Sequence, residues 1–245
     1  MIDPKKFEKY TITEDGQLLL AKAERDRVET VWDRHEAQQP QCGYCEMGLS
    51  CRICTMGPCR IDPFGEGPQR GVCGADADII VARNLGRMIA AGAAAHSDHG
   101  RDLVEILYKV GTGEAQGYTV RSPEKLRTVA AEYGIVVDGK DDLALAREVA
   151  DAMMEDFGTR KKEVQLASRA PAKRRELWAK LGMTPRGIDR ETSEMMHRTH
   201  MGVDNGWDSL IVHGARNALS DGWGGSMIAT EVSDILFGIP QPVPS

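Results

Sequence analysis

The chain has 245 residues, of which 28% are charged, and a formal net charge of -6. A chain of this length can bury one large core or two smaller ones, so it needs no disulfide framework to fold. Acidic and basic residues are interspersed, without the basic stripe and stacking aromatics that a nucleic-acid surface shows. Composition and charge therefore predict one or two globular domains that do not bind nucleic acid.

Apolar runs in the sequence are too short or too interrupted for a membrane segment. The first ten residues, MIDPKKFEKY, carry charges and a proline where a secretory peptide would need an apolar run. The most apolar stretch, residues 79–95, contains Arg83, Asn84 and Arg87. We therefore predict a cytoplasmic chain without a transmembrane segment.

Helical periodicity runs through almost the whole sequence, which predicts a mainly α fold. The first helix is predicted over residues 15–39, with Pro40 as its stop. A second helix is predicted from Asp76 to about Val110, because acidic residues near its start favour the positive end of the helix dipole. A third has Ser122 as N-cap, Pro123 at its first position and Gly134 as its stop.

Five further helices complete the predicted domain. They cover residues 141–158, 169–182, 189–202, 206–225 and 226–238. The short segment GIVV near Ile135 fits either a strand or a buried turn.

We predict an N-terminal helix at residues 1–40, a cysteine-rich loop at 41–75 and a helical domain at 76–238, all in one domain. The proline-rich residues 239–245 are predicted to begin a linker to further domains.

All six cysteines lie between Cys42 and Cys73, so local metal binding is favoured over disulfides. Four of them form a CxxC pair, a third thiol after four residues and a fourth after thirteen more. These are Cys51, Cys54, Cys59 and Cys73. Four thiolates in this pattern suit a [4Fe-4S] cluster, and Gly57, Gly71 and Gly74 would let the backbone approach its sulfides. A four-cysteine zinc site is the alternative, although zinc sites usually present two CxxC pairs.

Cys42 and Cys45 remain as a second CxxC pair. Two thiolates cannot hold a cluster alone, but a two-fold axis would bring the same pair from a second chain. Because each iron of a [2Fe-2S] cluster takes two thiolates, one pair per subunit predicts a [2Fe-2S] cluster shared across a homodimer. A pair without a cluster, or one that binds zinc weakly, is the alternative.

Several segments together resemble the N-terminal helical domain of the nickel-iron carbon monoxide dehydrogenases. They are CGYCEMGLSCRICTMGPCRIDPFGEGPQRGVCGADADIIVAR, AAGAAAHSDHGR, HMGVDNGW and SDGWGGSMIATEVSDILFG, and the resemblance covers essentially all 245 residues. It implies an enzyme that converts CO and water to CO2, two protons and two electrons, which pass to a ferredoxin-like acceptor.

The resemblance also implies roles for both groups of cysteines. The first four would hold the B-cluster, a [4Fe-4S] electron relay, and a D-cluster would lie on the dimer axis. In that family the second D-cluster cysteine often comes directly before the first B-cluster ligand. Ser50 occupies this place here, and Cys45 supplies the thiol instead, which supports the smaller shared cluster.

His96 and His99 are three residues apart, so they project from nearly the same side of the second predicted helix. At this spacing alone, a surface or structural role is the more common one. The resemblance implies that His96 lies beside the catalytic nickel-iron-sulfur cluster as acid or base and that His99 carries protons outward. Asp102 stands where a further histidine is expected.

The remaining histidines, His197, His200 and His213, are predicted to be structural. The cysteines that would ligate the nickel cluster come after position 245 in the family, and this chain has none beyond Cys73. We therefore predict the electron-relay and dimerisation portion of the enzyme, with its α/β domains absent from this chain. The alternatives are a stand-alone iron-sulfur electron carrier and a zinc-stabilised helical interaction module.

Overall fold

A computed structural model describes residues 2–158 and 163–243 of the chain. The described residues are mainly helical, as the sequence predicts. They form two compact units, Met1–Met47 and Gly48–Ser245. Residues 239–243 of the predicted linker have no regular structure, and residues 244–245 lie outside the described residues.

The first unit contains short helices, and the single helix predicted over residues 15–39 is wrong. A 3-10 turn (Pro4–Phe7) precedes α1 (Glu14–Arg25), α2 (Val31–Ala37) and α3 (Gly43–Glu46). Between α1 and α2, Arg27 takes a positive φ of 57°. The Asp33 carboxylate accepts the Thr30 backbone N–H at 2.7 Å, which starts α2 with a local cap. This cap interrupts the longer amphipathic pattern.

The second unit begins with a small hairpin that the sequence did not predict. Strands β1 (Ser50–Cys51) and β2 (Cys59–Arg60) pair antiparallel, and Cys51 lies opposite Cys59. Two-residue strands are too short to show an alternating pattern. The hairpin therefore holds two predicted ligands side by side.

The predicted helices of the second unit are confirmed. They are α4 (Ala77–Thr112), α5 (Pro123–Glu132), α6 (Asp142–Gly158), α7 (Ala172–Leu181), α8 (Ile188–Arg198), α9 (Trp207–Ser220) and α10 (Ser226–Phe237). A 3-10 turn, Gln165–Arg169, precedes α7. Residues 135–137 of the segment GIVV have no regular structure and Val136 is exposed, so the segment is neither a strand nor a buried turn. Among the described residues, no helix combines the length and apolar character needed to cross a membrane.

Local signals at the helix ends lie where the sequence predicts them, although the Ser122 side chain makes no capping hydrogen bond. Asp76 caps α4 by accepting the Ile79 N–H at 3.0 Å. Ser122 is the N-cap residue of α5 and Pro123 its first residue, and Gly134 follows its end with a φ of 75°. Only glycine adopts such a φ without strain, so it ends the helix.

Helices α9 and α10 are joined by a π-helical turn, Asp221–Gly225, instead of a break. The turn packs closely on α4: a Cβ added at Gly225 would lie 2.8 Å from the Cα of Ser97. Only a residue without a side chain allows this approach. Such turns often occur at functional sites.

Two apolar clusters fix the cysteine loop and the long helix α4. The larger core joins α4, α5, α6 and α10, and α4 also packs against α8 and α9. A smaller cluster of Ile61, Ala75, Ile79 and Ile80 lies under the loop, with Cys51 and Cys73 packed against it. The loop is thereby anchored to the first turn of α4.

Candidate functional site

Four cysteines of the second unit line one small cavity. They are Cys51, Cys54, Cys59 and Cys73. Cys51 and Cys59 come from the two hairpin strands, Cys54 from the loop between them, and Cys73 from the turn before α4. The structure thus brings together the four thiols that the spacing grouped.

The backbone around these thiols is tightly folded. The Val72 N–H donates to the Sγ atom of Cys59 at 3.4 Å. A Cβ at Gly57 would lie 3.2 Å from the carbonyl oxygen of Cys51, and one at Gly71 would lie 3.5 Å from Cys59 Sγ. Gly71 thus lets the backbone pass close to a sulfur atom, Gly57 lies close to backbone atoms of the cysteines, and a Cβ at Gly74 would meet nothing within 4 Å.

Asp62 organises the loop between the third and fourth cysteines. Its buried carboxylate accepts the backbone N–H groups of Glu66 at 2.6 Å and Gly67 at 2.7 Å. The Gly67 hydrogen bond, with smaller contributions from neighbouring amides, holds the pKa of Asp62 below its usual value. The motif CRIDPFGEGP is therefore a fixed turn around one ionised carboxylate.

A buried arginine also reaches the cavity. Arg83 of α4 is only 2% exposed, and its Nη1 atom lies 3.5 Å from Cys73 Sγ. Burial alone would raise the pKa of the Cys73 thiol, but hydrogen bonds from the Ala75 amide and Arg83 lower it overall. The surroundings of Cys73 therefore favour the thiolate, which is the form that binds metals.

The donor set of four cysteine thiols is one that iron-sulfur clusters use. Zinc needs four ligand atoms close around one point. Within the part of the chain that the structure describes, no three Cys, His, Asp or Glu side chains group in that way. The four thiols line one cavity, and four thiolates are the ligand set of a [4Fe-4S] cluster.

The second pair of cysteines lies in the first unit. Cys42 is the N-cap residue of α3 and Cys45 lies within it, and both residues are exposed. The Cys45 N–H donates to the Cys42 carbonyl at 2.9 Å, which closes the CxxC turn. Both cysteines are thus held on one exposed turn.

The two histidines of α4 face the same surface recess. His96 and His99 line it together with residues of α10, namely Ser226, Ala229, Thr230, Ser233 and Asp234. His96 Nδ1 lies 2.9 Å from Asp221 Oδ2. Asp102 is exposed further along α4 and is not among the residues that line the recess.

Asp221 is a candidate site residue that the sequence analysis missed. It lies in the π-helical turn, where its side chain is 15% exposed, and it also accepts the Ser226 hydroxyl at 3.4 Å. The available signal was an acidic residue inside the glycine-rich run SDGWGG, within an otherwise helical pattern.

Of the other histidines, His213 is buried in an ionic network. Its Nε2 atom lies 3.0 Å from Glu191 Oε2, and Arg186 and Arg216 bind the same carboxylate. This setting agrees with the structural role predicted for it. His197 is exposed in the last turn of α8, and His200 is exposed just beyond that helix.

The fold and the site together define a helical domain with a candidate metal centre of four cysteines. The profile of the Prismane/CO dehydrogenase family matches residues 49–245. The chain belongs to the Prismane/CO dehydrogenase family.

Individual relatives agree with this family. Carbon monoxide dehydrogenase 1 of Methanosarcina mazei is 56% identical over 236 residues, 96% of this chain. Carbon monoxide dehydrogenase 1 of Carboxydothermus hydrogenoformans is 49% identical over 228 residues, 92% of this chain. A Ni-free crystal structure of carbon monoxide dehydrogenase from Thermococcus sp. AM4 matches with a TM-score of 0.87 and 53% identity over 93% of this chain.

The chain is shorter than these relatives. It spans 37% of the Methanosarcina mazei protein and 36% of both the Carboxydothermus hydrogenoformans protein and the Thermococcus sp. AM4 structure. The similarity to the named enzymes therefore concerns about a third of each.

Proposed function

We propose that this chain is the electron-relay and dimerisation portion of a carbon monoxide dehydrogenase. Cys51, Cys54, Cys59 and Cys73 would hold a [4Fe-4S] cluster, which supplies one-electron transfer when bound. The observation that carries this proposal is the convergence of all four thiols on one cavity. Relatives named carbon monoxide dehydrogenase, at 56% and 49% identity, support the assignment.

His96 is proposed as the acid or base for the protons that CO oxidation releases. The overall reaction converts CO and water to CO2, two protons and two electrons. Asp221 holds the Nδ1 side of the ring, which leaves Nε2 available for proton exchange. His99 lines the same recess and is proposed to pass protons outward. A stand-alone electron carrier gives no role to this pairing of His96 with Asp221.

The nickel-iron-sulfur centre is proposed to be completed by residues outside this chain's 245. The carbon monoxide dehydrogenase from Thermococcus sp. AM4 was crystallised in a Ni-free form. This chain's own contribution to the centre would be the recess that contains His96. CO and CO2 are the proposed small-molecule substrates.

The exposed CxxC turn is proposed to bind the D-cluster at a homodimer axis. Cys42 and Cys45 are both exposed on α3, where a second copy can reach them. Two pairs would complete a [2Fe-2S] cluster with two thiolates on each iron. We also propose that a ferredoxin-like protein accepts the electrons and that the enzyme is located in the cytoplasm.

Iron and acid-labile sulfide analysis of anaerobically prepared chain tests these assignments. We expect both elements in the wild type. Cys54→Ala should weaken or change the [4Fe-4S] signal in EPR of the reduced protein, because one of the four iron atoms loses its thiolate. Cys42→Ala should leave that signal and remove the signal of the shared cluster.

These outcomes separate the alternatives. Zinc without iron or sulfide would contradict the cluster and favour the interaction module. If both EPR signals persisted in Cys42→Ala, the shared cluster would be excluded while the [4Fe-4S] assignment stood.

A further inference from the structure

Arg83 is one of the largest fully buried side chains of the second unit, although arginine is seldom buried without a charged partner. It comes from α4 and lines the same cavity as the four cysteines. Its Nη1 atom is 3.5 Å from Cys73 Sγ. A buried positive charge therefore stands directly beside the candidate cluster.

The other partners of Arg83 are neutral. Its Nη2 atom donates to the backbone carbonyl of Asp204 at 2.7 Å and to the side-chain oxygen of Asn205 at 2.9 Å. Among the residues that the structure describes, no carboxylate forms an ion pair with Arg83, and its Nε atom has no hydrogen-bond partner. Within the described part of the chain, the positive charge of Arg83 can consequently be balanced only by the cysteine site, once its thiolates hold a cluster.

The partner loop is itself held in place. The Asp204 carboxylate accepts Arg198 Nε at 3.0 Å and the Gly206 N–H at 2.9 Å. This fixes the carbonyl that receives Arg83, and Met201 of the same loop also lines the cavity. Asp204 and Asn205 of the motif HMGVDNGW therefore hold the Arg83 guanidinium in position.

We propose that Arg83 is a tuning residue that raises the reduction potential of the [4Fe-4S] cluster, with residues 204–205 holding its guanidinium in place. The inference rests on the proposed function, because it requires the cluster. A cluster bound by four thiolates is negatively charged, and its negative charge grows by one on reduction. A fixed positive charge that donates to a ligand sulfur therefore stabilises the reduced form more than the oxidised form.

A redox titration of the cluster-loaded chain, followed by EPR, tests this role. Dithionite supplies the single electron, which enters the cluster without any bond breaking. We expect Arg83→Gln to lower the equilibrium constant for reduction about tenfold, equivalent to about 59 mV. Arg83→Lys keeps the charge but not the forked geometry and should shift the potential less.

Arg87→Gln is the matched control. Arg87 lies one turn further along α4 and donates to Thr199 Oγ1 at 3.0 Å and the Met196 carbonyl at 3.3 Å. The same change there removes a charge without touching a cysteine, so the potential should stay at the wild-type value.

The outcomes distinguish this inference from the proposed function. A fully loaded Arg83→Gln with the wild-type potential would overturn the tuning role and leave the cluster assignment intact. Wild-type chain without iron and sulfide would instead remove the proposed function.

If Arg83→Gln does not retain the cluster, Arg83→Met, which also removes the charge, and Asn205→Ala decide the question. Asn205→Ala removes one acceptor of the guanidinium and should lower the potential by less than tenfold in equilibrium constant. Wild-type potentials in both variants would refute the role of Arg83.

Discussion

At the scale of single residues, the pairing of His96 with Asp221 defines which ring nitrogen is available. An ionised carboxylate can only accept hydrogen bonds, so the contact at 2.9 Å places the hydrogen on Nδ1 of His96. The lone pair then lies on Nε2, toward the side that Asp221 does not bind. Asp221 is in this sense a positioning residue, and His96 is the residue proposed to exchange protons.

Replacing Asp221 with asparagine should disturb this arrangement without removing the histidine. An amide can present either its oxygen or its NH2 group, so it no longer selects one tautomer. In an enzyme that contains this chain, we expect turnover to fall by less than the roughly 10²- to 10⁴-fold loss typical of removing a general base. The His96→Ala, Asp221→Asn double variant should be no slower than His96→Ala.

Nitrogen-15 NMR of the imidazole supplies a readout independent of turnover. Wild-type His96 should show the Nδ1–H tautomer, and Asp221→Asn a mixture of both. Asp98→Asn, an exposed change on the same helix, should alter neither measurement. Unchanged turnover together with unchanged nitrogen shifts in Asp221→Asn would rule out the positioning role.

At the scale of elements, α4 organises the second unit through close backbone contacts. It packs against α6, α8, α9 and α10. A Cβ added at Gly100 would lie 2.6 Å from the carbonyl oxygen of Gly225, and one at Gly111 would lie 2.5 Å from the backbone nitrogen of Arg147. Since backbone atoms cannot move aside as a side chain tip can, both positions require glycine.

Two glycine substitutions on this one helix should have opposite effects. Gly100→Ala forces α4 and the π-helical turn apart, and overpacking of this kind costs about 1–3 kcal/mol of unfolding free energy. Gly92→Ala meets nothing within 4 Å, so it should stabilise the helix by about 0.5–1 kcal/mol. Denaturant unfolding followed by circular dichroism measures both. Equal effects of the two changes would show that the close contact does not constrain the fold.

Some elements of the fold could be predicted from the sequence and others could not. Helices with a buried apolar stripe, such as α4 and α6, were predictable because burial imposes helical spacing on the sequence. The N-terminal helix was mispredicted because the Thr30 cap, a local signal, stops an otherwise continuous pattern. The π-helical turn was missed because no periodicity distinguishes it from the helices that it joins.

At the scale of the whole molecule, the predictable part of the candidate site is the part that is local in sequence. The four cysteines lie within 23 residues, so their spacing alone grouped them. Asp221 meets His96 across 125 residues, and Arg83 meets Asp204 across 121. Such contacts depend on how α4, α9 and the loop before α9 pack, and no local pattern encodes them.

A buried ionic network joins α8 to α9 and the loop before α8 in the second unit. The fully buried Glu191 carboxylate accepts Arg186 Nε at 2.5 Å, Arg216 Nε at 2.9 Å and His213 at 3.0 Å. Burial alone would raise the pKa of Glu191, but the hydrogen bonds and charges of these partners lower it to about 2. The ionised carboxylate is therefore stabilised by the folded state.

The sign of this shift predicts an acid-sensitive contribution to stability. Because the folded pKa lies below the usual 4.5, the contribution is fully present above about pH 4.5. It is lost as the pH falls toward 2, where the folded protein also takes up the proton. We expect the unfolding free energy of the wild type to decline across this window.

Glu191→Gln should remove that part of the pH dependence. At pH 7 it takes one counter-charge from Arg186 and Arg216, which are partly exposed and keep Glu194 as a partner, and this should cost roughly 1–3 kcal/mol of unfolding free energy. Its unfolding free energy, measured with denaturant between pH 7 and 2.5, should fall less steeply below pH 4.5 than that of the wild type. Glu176→Gln, an exposed change on α7, should follow the wild-type curve. Parallel curves for Glu191→Gln and the wild type would mean that the network does not depend on the Glu191 charge.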